Sequence, residues 1–204
     1  MKLLITQREE KNEHGDRIDS LEANYIEFFL KEKFEIIPVP NNLEAAKRLL
    51  WEAPDLIVLS GGGSITEQTN RNEVETKLIE YCLKHNVPLL GICRGMQFIN
   101  KYFGGKIVKN NIHPNEREHD LVLTNQNLIE CLKRKRGPVN SYHNFTVSEK
   151  DLAKELEVFG VSNYGLIEGF FHKNKKIVGV QWHPERTNGL SQWIDKFILN
   201  NLIR

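Results

Sequence analysis

Two short stretches constrain this chain more than anything else in it. Asp55–Ser60 (DLIVLS) and Val87–Ile92 (VPLLGI) are nearly unbroken apolar runs. A strand with one wet face alternates apolar and polar residues. A strand apolar at every position has both faces covered, as in parallel sheets packed between helices. Strand and helix patterns alternate around these runs. Lys2–Thr6 and Phe34–Val39 read as strands. Leu21–Lys33, Leu43–Trp51 and Asn72–His85 read as helices, and Arg94–Phe103 as an apolar helix closed by Gly104–Gly105. Such alternation predicts an α/β fold with an open, mostly parallel central sheet flanked by helices. The second half is less regular: Leu121–Thr124, Glu157–Val161, Leu166–Phe171 and Lys176–Trp182 read as strands, some antiparallel, before an amphipathic helix over Gly189–Arg204. With no internal repeat, low-complexity tract or linker, residues 1–204 read as a single domain.

Composition narrows the function. Lys+Arg 28 against Asp+Glu 27 gives +1, without the basic excess of a nucleic-acid-binding domain. No apolar run approaches the roughly 18 residues of a membrane span, and Met1–Thr6 is too short for a signal-peptide core. A cytoplasmic location with reduced thiols is therefore expected. Cys82, Cys93 and Cys131 are odd in number and form no CxxC pair, against a disulfide framework or zinc ribbon. His14, His85, His113, His119 and His172 have no metal-ligand spacing, so neither metal nor cofactor is expected.

Three segments carry chemistry. In Gly91-Ile92-Cys93-Arg94-Gly95 a strand meets a helix through the spacing of a nucleophile elbow, with Cys as the nucleophile. Glycines two residues either side make room for the turn. A thiol there sits at a helix N-terminus that favours thiolate, and the Arg94 N–H can hold an oxyanion. The competing reading is a small buried Cys at a tight turn. In His183-Pro184-Glu185, an extended chain would put Glu185 on the same side as His183, a base with its orienter. Alone, that tripeptide reads more readily as a surface turn, and only beside the Cys93 elbow does it read as a base with its orienter. Gly61-Gly62-Gly63-Ser64 follows a buried strand and can bring backbone N–H groups close to a ligand. It also fits a plain turn or a phosphate loop, though no Gly-Lys-Ser/Thr makes it a Walker loop.

These segments in this order, with Val139-Asn140-Ser141-Tyr142-His143, resemble the class I (triad-type) glutamine amidotransferase superfamily over nearly the whole chain. The resemblance implies a flavodoxin-like sheet. It implies Cys93 as nucleophile, His183 as base and acid, and Glu185 as its orienter. Gly62 and Arg94 become the backbone oxyanion donors, and Gln97, His143, Asn144, Phe145 and Arg186 line the substrate. Two departures stand out. The turn Gly61–Ser64 lacks the family's proline, and Arg94 after the nucleophile is similar to the stand-alone γ-glutamyl hydrolase branch. The implied partner is then a small-molecule γ-glutamyl substrate, nucleotide-linked in one version, with no obligate synthase. A glutaminase subunit feeding ammonia to a synthase is the alternative, and a binding module without chemistry a third. A phosphorylated leaving group would call for arginine: Arg8, Arg17, the Arg94 side chain, Arg186, or the run Lys133–Arg136, otherwise a solvated turn. The polar stretch Gln7–Asp19 reads as a long loop, over the site or simply mobile. Cys82 and Cys131 read as incidental thiols.

Overall fold

The computed structural model describes residues 1–109, 118–186 and 190–203. The first half runs β1 (Lys2–Thr6), β2 (Arg8–Lys11), β3 (Arg17–Ser20), α1 (Ala23–Lys31), β4 (Glu35–Val39), α2 (Leu43–Leu49), β5 (Leu56–Leu59), α3 (Thr69–His85), β6 (Leu89–Ile92) and α4 (Arg94–Tyr102). The second runs β7 (Val108–Lys109), β8 (Glu118–Leu123), α5 (Gln126–Leu132), β9 (Arg136–Asn140), β10 (Phe145–Thr146), β11 (Leu156–Ser162), β12 (Ile167–His172), β13 (Ile177–Val180) and α6 (Gln192–Phe197). Residues Ile198–Ile203 continue α6 as a π-helical turn.

The main sheet has the order β4-β1-β5-β6-β13-β12-β11-β8-β9. It is parallel from β4 through β13 and continues through antiparallel neighbours to β9. Strand residues divide alternately between two cores. Leu3, Ile5, Val58, Leu90 and Ile92 pack with Phe29, Trp182 and Ile194. Leu4, Ile57, Leu59 and Leu89 pack with Leu78, Met96 and Ile99. Successive side chains point to opposite faces, so a strand between two helical layers has no wet position, and that is why no polar residue interrupts Leu56–Leu59 or Val87–Ile92. The chain order reverses between β1 and β5, the kind of switch point beyond whose carboxyl ends open α/β sheets place their sites.

The structure corrects several expectations. Gln7–Asp19 is not a loop: β2 and β3 pair as an antiparallel hairpin, Arg8 opposite Ser20 and Lys11 opposite Arg17. Its tip is closed by the Asn12 side chain, which accepts from the His14 and Asp16 N–H groups. Helix α5 was not anticipated. It has seven residues, buries only Leu128, and is announced by the Asn125 cap, whose oxygen accepts from the Leu128 N–H at 3.1 Å. The closing helix is α-helical only over Gln192–Phe197. Gly189 and Arg204, which bounded the predicted helix, lie outside the described residues, as does His113. No described helix is long and apolar enough to cross a membrane.

Helix α6 is tied to the sheet by a buried carboxyl. Asp195 is 3 % exposed and accepts from Trp182 Nε1 at 2.9 Å and Ser191 Oγ at 2.6 Å. Burial pushes its pKa up to about 7, against those two hydrogen bonds. A carboxyl whose folded pKa is raised contributes most below its unfolded value near 3.8, and that contribution is lost as pH rises through about 7. Asp195→Asn keeps an acceptor for Trp182 and cannot ionise. Its stability is expected to fall less than that of the parent between pH 4 and 7, by on the order of 3 kcal/mol. Urea midpoints across that range check this, and parallel curves for parent and variant would refute it.

Candidate active site

Strands β6 and β13 are neighbours in register, Ile92 beside Val180. The residues that follow each strand therefore emerge side by side: Cys93 after β6, and Gln181, Trp182 and His183 after β13. The Cys93 N–H donates to the Val180 carbonyl at 2.8 Å, and the Cys93 carbonyl accepts from the Gln97 N–H at 3.1 Å, opening α4. Between these bonds the backbone turns sharply. Cys93 lies at φ 51, ψ −103, outside both helical regions, a conformation that costs a non-glycine residue about 1–3 kcal/mol. Gly95 is required beside it, since a Cβ there would stand 2.1 Å from the Leu59 carbonyl oxygen.

His183 is 2 % exposed, with its Nδ1 2.5 Å from Glu185 Oε1. The Cys93 thiol is a further hydrogen-bond partner of the ring. Burial opposes a charge on the imidazole. The negative charges and hydrogen bonds of Cys93 and Glu185 outweigh it and hold the pKa near 10. The predicted route to this pair was an extended chain. The observed one is a 3-10 turn over Pro184–Arg186, in which the Arg186 N–H donates to the His183 carbonyl. Asn140 pins the same residue from the end of β9: its Oδ1 accepts from the His183 N–H and its Nδ2 donates to the His183 carbonyl, both at 2.8 Å.

The loop Gly61–Gly63 closes against this pair. A Cβ on Gly61 would lie 2.8 Å from His183 Cε1 and 3.6 Å from Cys93 Cβ. The Gly61 N–H donates to the buried Tyr25 hydroxyl at 2.8 Å, and that hydroxyl sits beside Glu185. The loop's carbonyls are gathered by Arg71, which is fully buried. Arg71 donates to the carbonyls of Ser60 at 2.6 Å, Gly61 at 3.3 Å and Gly62 at 2.8 Å. In a trans peptide the N–H points opposite its carbonyl, so the N–H groups of Gly62 and Gly63 face away from Arg71. Glu75 balances the charge, accepting from Arg71 Nε at 2.8 Å, Arg94 Nη1 at 2.5 Å and Thr6 Oγ1 at 3.0 Å. Burial pulls the Arg71 pKa down to about 10, leaving it charged at neutral pH.

The residues expected to line the substrate converge on one carbonyl. Gln97 Nε2 donates to the Phe145 oxygen at 2.9 Å and to Gln181 Oε1 at 3.2 Å, and His143 Nδ1 faces the same Phe145 oxygen at 3.1 Å. Gln181 Nε2 approaches Cys93 Sγ at 3.5 Å. Asn144 is exposed on that segment. Beneath it lies Glu168, fully buried, 3.4 Å from His119 Nε2 and 3.7 Å from His143 Nε2. A cavity of about 400 Å³ runs past Gln97 and Phe145, edged by Ser64, Thr66, Lys101 and Lys106.

The arginines sort differently from expectation. Arg8 and Arg186 meet beside the site. The Arg94 side chain does not reach a ligand position, being buried against Glu75 and Asn72. Arg17 faces Glu9 at 3.8 Å on the hairpin. Lys133–Arg136 is remote from the site. Lys133 ends α5 in the left-handed conformation and Arg136 begins β9, whose other end carries Asn140, roughly 13 Å further along. Of the other thiols, Cys82 is buried with its pKa pushed up, and Cys131 is exposed. Sequence reasoning missed Tyr25, Arg71, Glu75, Gln181 and Glu22. The one available signal was Arg71 and Glu75 at i, i+4 on the face of α3 that also carries Val74 and Leu78.

A sequence model described as "Glutamine amidotransferase class-I" matches residues 14–201, and the chain belongs to that family. Among its relatives, the gamma-glutamyl-CDP-amidate hydrolase of Campylobacter jejuni is 30 % identical over 92 % of this chain and 91 % of its own length. A glutamine-hydrolysing GMP synthase subunit of Methanobrevibacter smithii is 31 % identical over 77 % of this chain and 76 % of its own. Among solved structures, one assigned to a GMP synthase subunit from Thermoplasma acidophilum superposes with a TM-score of 0.74 at 25 % identity, covering 97 % of this chain and 92 % of that one.

Proposed function

We propose that this protein is a stand-alone cysteine hydrolase of a γ-glutamyl N-acyl bond, with γ-glutamyl-CDP-amidate as substrate. The observation that carries the chemistry is a thiol on a strained elbow, hydrogen-bonded to an imidazole whose other nitrogen lies 2.5 Å from a carboxylate. The substrate follows from the Campylobacter jejuni relative, matched nearly end to end. Cys93 thiolate attacks the γ-carbonyl carbon. The oxyanion is received by the N–H groups of Gly62 and Arg94. His183, held by Glu185, gives its proton to the leaving nitrogen as the C–N bond breaks, leaving a γ-glutamyl thioester on Cys93. Water then gives a proton to His183, adds to the thioester carbonyl and releases glutamate with the thiol restored. Gln97, His143, Asn144 and Phe145 hold the glutamyl moiety.

The Methanobrevibacter smithii relative supports a second reading, a glutaminase subunit serving a synthase. The purified chain is offered γ-glutamyl-CDP-amidate and glutamine separately and glutamate is measured. Release from the amidate without any added protein is expected. Release from glutamine only on addition of a GMP synthase subunit would favour the second reading.

A further inference from the structure

The side of the site that faces the leaving group carries a pair of arginines converging on one carboxylate. Gln97, His143 and Phe145 occupy the glutamyl side, and His183 must face the departing nitrogen. Next to His183 stands Tyr142, ring centroids 5.8 Å apart, and the Arg186 guanidinium lies over the Tyr142 ring at 5.0 Å. Arg186 Nη2 donates to both oxygens of Glu22 at 2.8 Å. Arg8 Nη2 donates to the same Oε1, reaching in from the β2–β3 hairpin. The Arg8 guanidinium presses on Gly62, where a Cβ would stand 2.4 Å from its Nε. The hairpin that delivers Arg8 is pinned from outside: Gln68 and Asn70 donate to the Glu9 carbonyl and carboxylate, and Asn41 donates to Asp19.

Two guanidiniums sharing one acceptor oxygen define an anion position, and Glu22 occupies it in this structure. Glu22 stands at the N-cap of α1 but its side chain makes no cap hydrogen bond, so nothing in the helix holds it there. Arg186 and Arg8 keep its pKa below the usual carboxylate value, although burial opposes them. Arg8 also pairs with Glu10 at 3.0 Å, on the exposed outer face of the hairpin, where screening makes such a pair weak. A diphosphate offers more acceptor oxygens and more charge than one carboxylate, and pairs of its oxygens match the spacing of a guanidinium fork.

We propose that Arg8 and Arg186 form the seat of an anionic leaving group, the diphosphate of a nucleoside diphosphate amide, and that Glu22 is a placeholder displaced when it binds. This rests on the hydrolytic reading above and adds to it the element that selects the substrate. The seat joins the reacting centre through Gly62 and Tyr142, so a diphosphate there leaves its amide nitrogen at His183.

The test uses Cys93→Ala protein, which binds without turning over, titrated calorimetrically with CDP, inorganic pyrophosphate and cytidine. CDP and pyrophosphate are expected to bind and cytidine is not. Arg8→Gln should weaken CDP by about tenfold or more, and Arg8→Lys, which keeps the charge without the fork, by less. Glu22→Gln should tighten CDP several-fold, the opposite of what a merely structural carboxylate would give. Lys135→Gln, near the far end of β9, should change nothing. Unchanged CDP affinity in Arg8→Gln, weaker affinity in Glu22→Gln, or cytidine binding as well as CDP would each overturn the seat. Glutamate release from γ-glutamyl-CDP-amidate, measured separately on the wild-type chain, distinguishes the two proposals. Release with CDP affinity indifferent to Arg8 removes the seat and keeps the hydrolase. CDP affinity that depends on Arg8, without glutamate release from any γ-glutamyl amide, keeps the seat and removes the hydrolase.

Discussion

Cys93→Ala is expected to abolish glutamate release, a loss on the order of 10⁴-fold or more in kcat, while the protein unfolds at the same urea concentration as the parent. The two halves of the result have separate causes. On the proposed mechanism, turnover vanishes because no γ-glutamyl adduct forms for Gly62, Arg94 and His183 to act on. Stability is untouched because alanine inherits the same backbone, φ 51 and ψ −103, and gives up one sulfur whose burial contributes little. Cys93→Gly separates the two effects further. Glycine adopts that conformation without strain, so the variant should be as inactive as alanine and more stable by about 1 kcal/mol. Glutamate release and urea denaturation on the three proteins make the comparison. An alanine variant with parental turnover would end the mechanism. A glycine variant no more stable than alanine would show that the elbow stores no strain.

Arg71→Leu is expected to be the most damaging substitution outside the reacting groups, at about 3–5 kcal/mol of stability. Its guanidinium gathers three consecutive carbonyls, from Ser60 to Gly62, and shares Glu75 with Arg94. Leucine fills the space but leaves those buried carbonyls without donors and Glu75 with one guanidinium fewer. Arg71→Lys separates charge from geometry. An ammonium can still face Glu75 but cannot span three carbonyls, so stability should return in part and kcat should not. The loop would then be free to turn a carbonyl towards Cys93 in place of an N–H. Urea midpoints and steady-state kinetics on γ-glutamyl substrates read the two effects. A leucine variant with an unchanged midpoint would mean that Arg71 holds nothing.

What could be read in the sequence was what is local in the chain. The buried parallel strands, the glycines around Cys93 and the His183–Glu185 spacing all declare themselves within a few residues. The hairpin at β2–β3 did not, because Arg8–Lys11 is polar throughout and Arg17–Ser20 carries one apolar residue, Ile18, which is exposed, so neither shows the alternation that marks a strand with one buried side. Arg71 precedes the helix expected over Asn72–His85, and Glu75 is a charged residue within it, so neither is marked locally as buried. Their partners, Gly61, Gly62, Arg94 and Thr6, lie up to 69 residues away, and no helical period encodes them. Lys133–Arg136 drew attention because it precedes the Asn140–His143 stretch in the chain. The direction of β9 then carries it to the opposite end of the sheet, so nearness in sequence meant distance in space. Tyr25 belonged to a well-read apolar helix face, and its hydroxyl, aimed at Gly61, could not be told from a packing residue.

The side-by-side emergence of Cys93 and His183 has one more consequence. Both follow strands that touch, with Ile92 opposite Val180. Their separation is thus set first by the spacing between hydrogen-bonded strands, about 4.8 Å, and then by Asn140, which holds His183 just beyond the end of β13. Segments that touch neither strand nor Asn140 can lengthen, shorten or be exchanged without retuning the distance between thiol and imidazole. A slip of one strand past the other would alter it, and a single-residue slip would turn every buried side chain of that strand to the wrong face. The reacting distance is thereby guarded by the whole hydrophobic core, while the rim around it, hairpin included, is left free to change what the enzyme accepts.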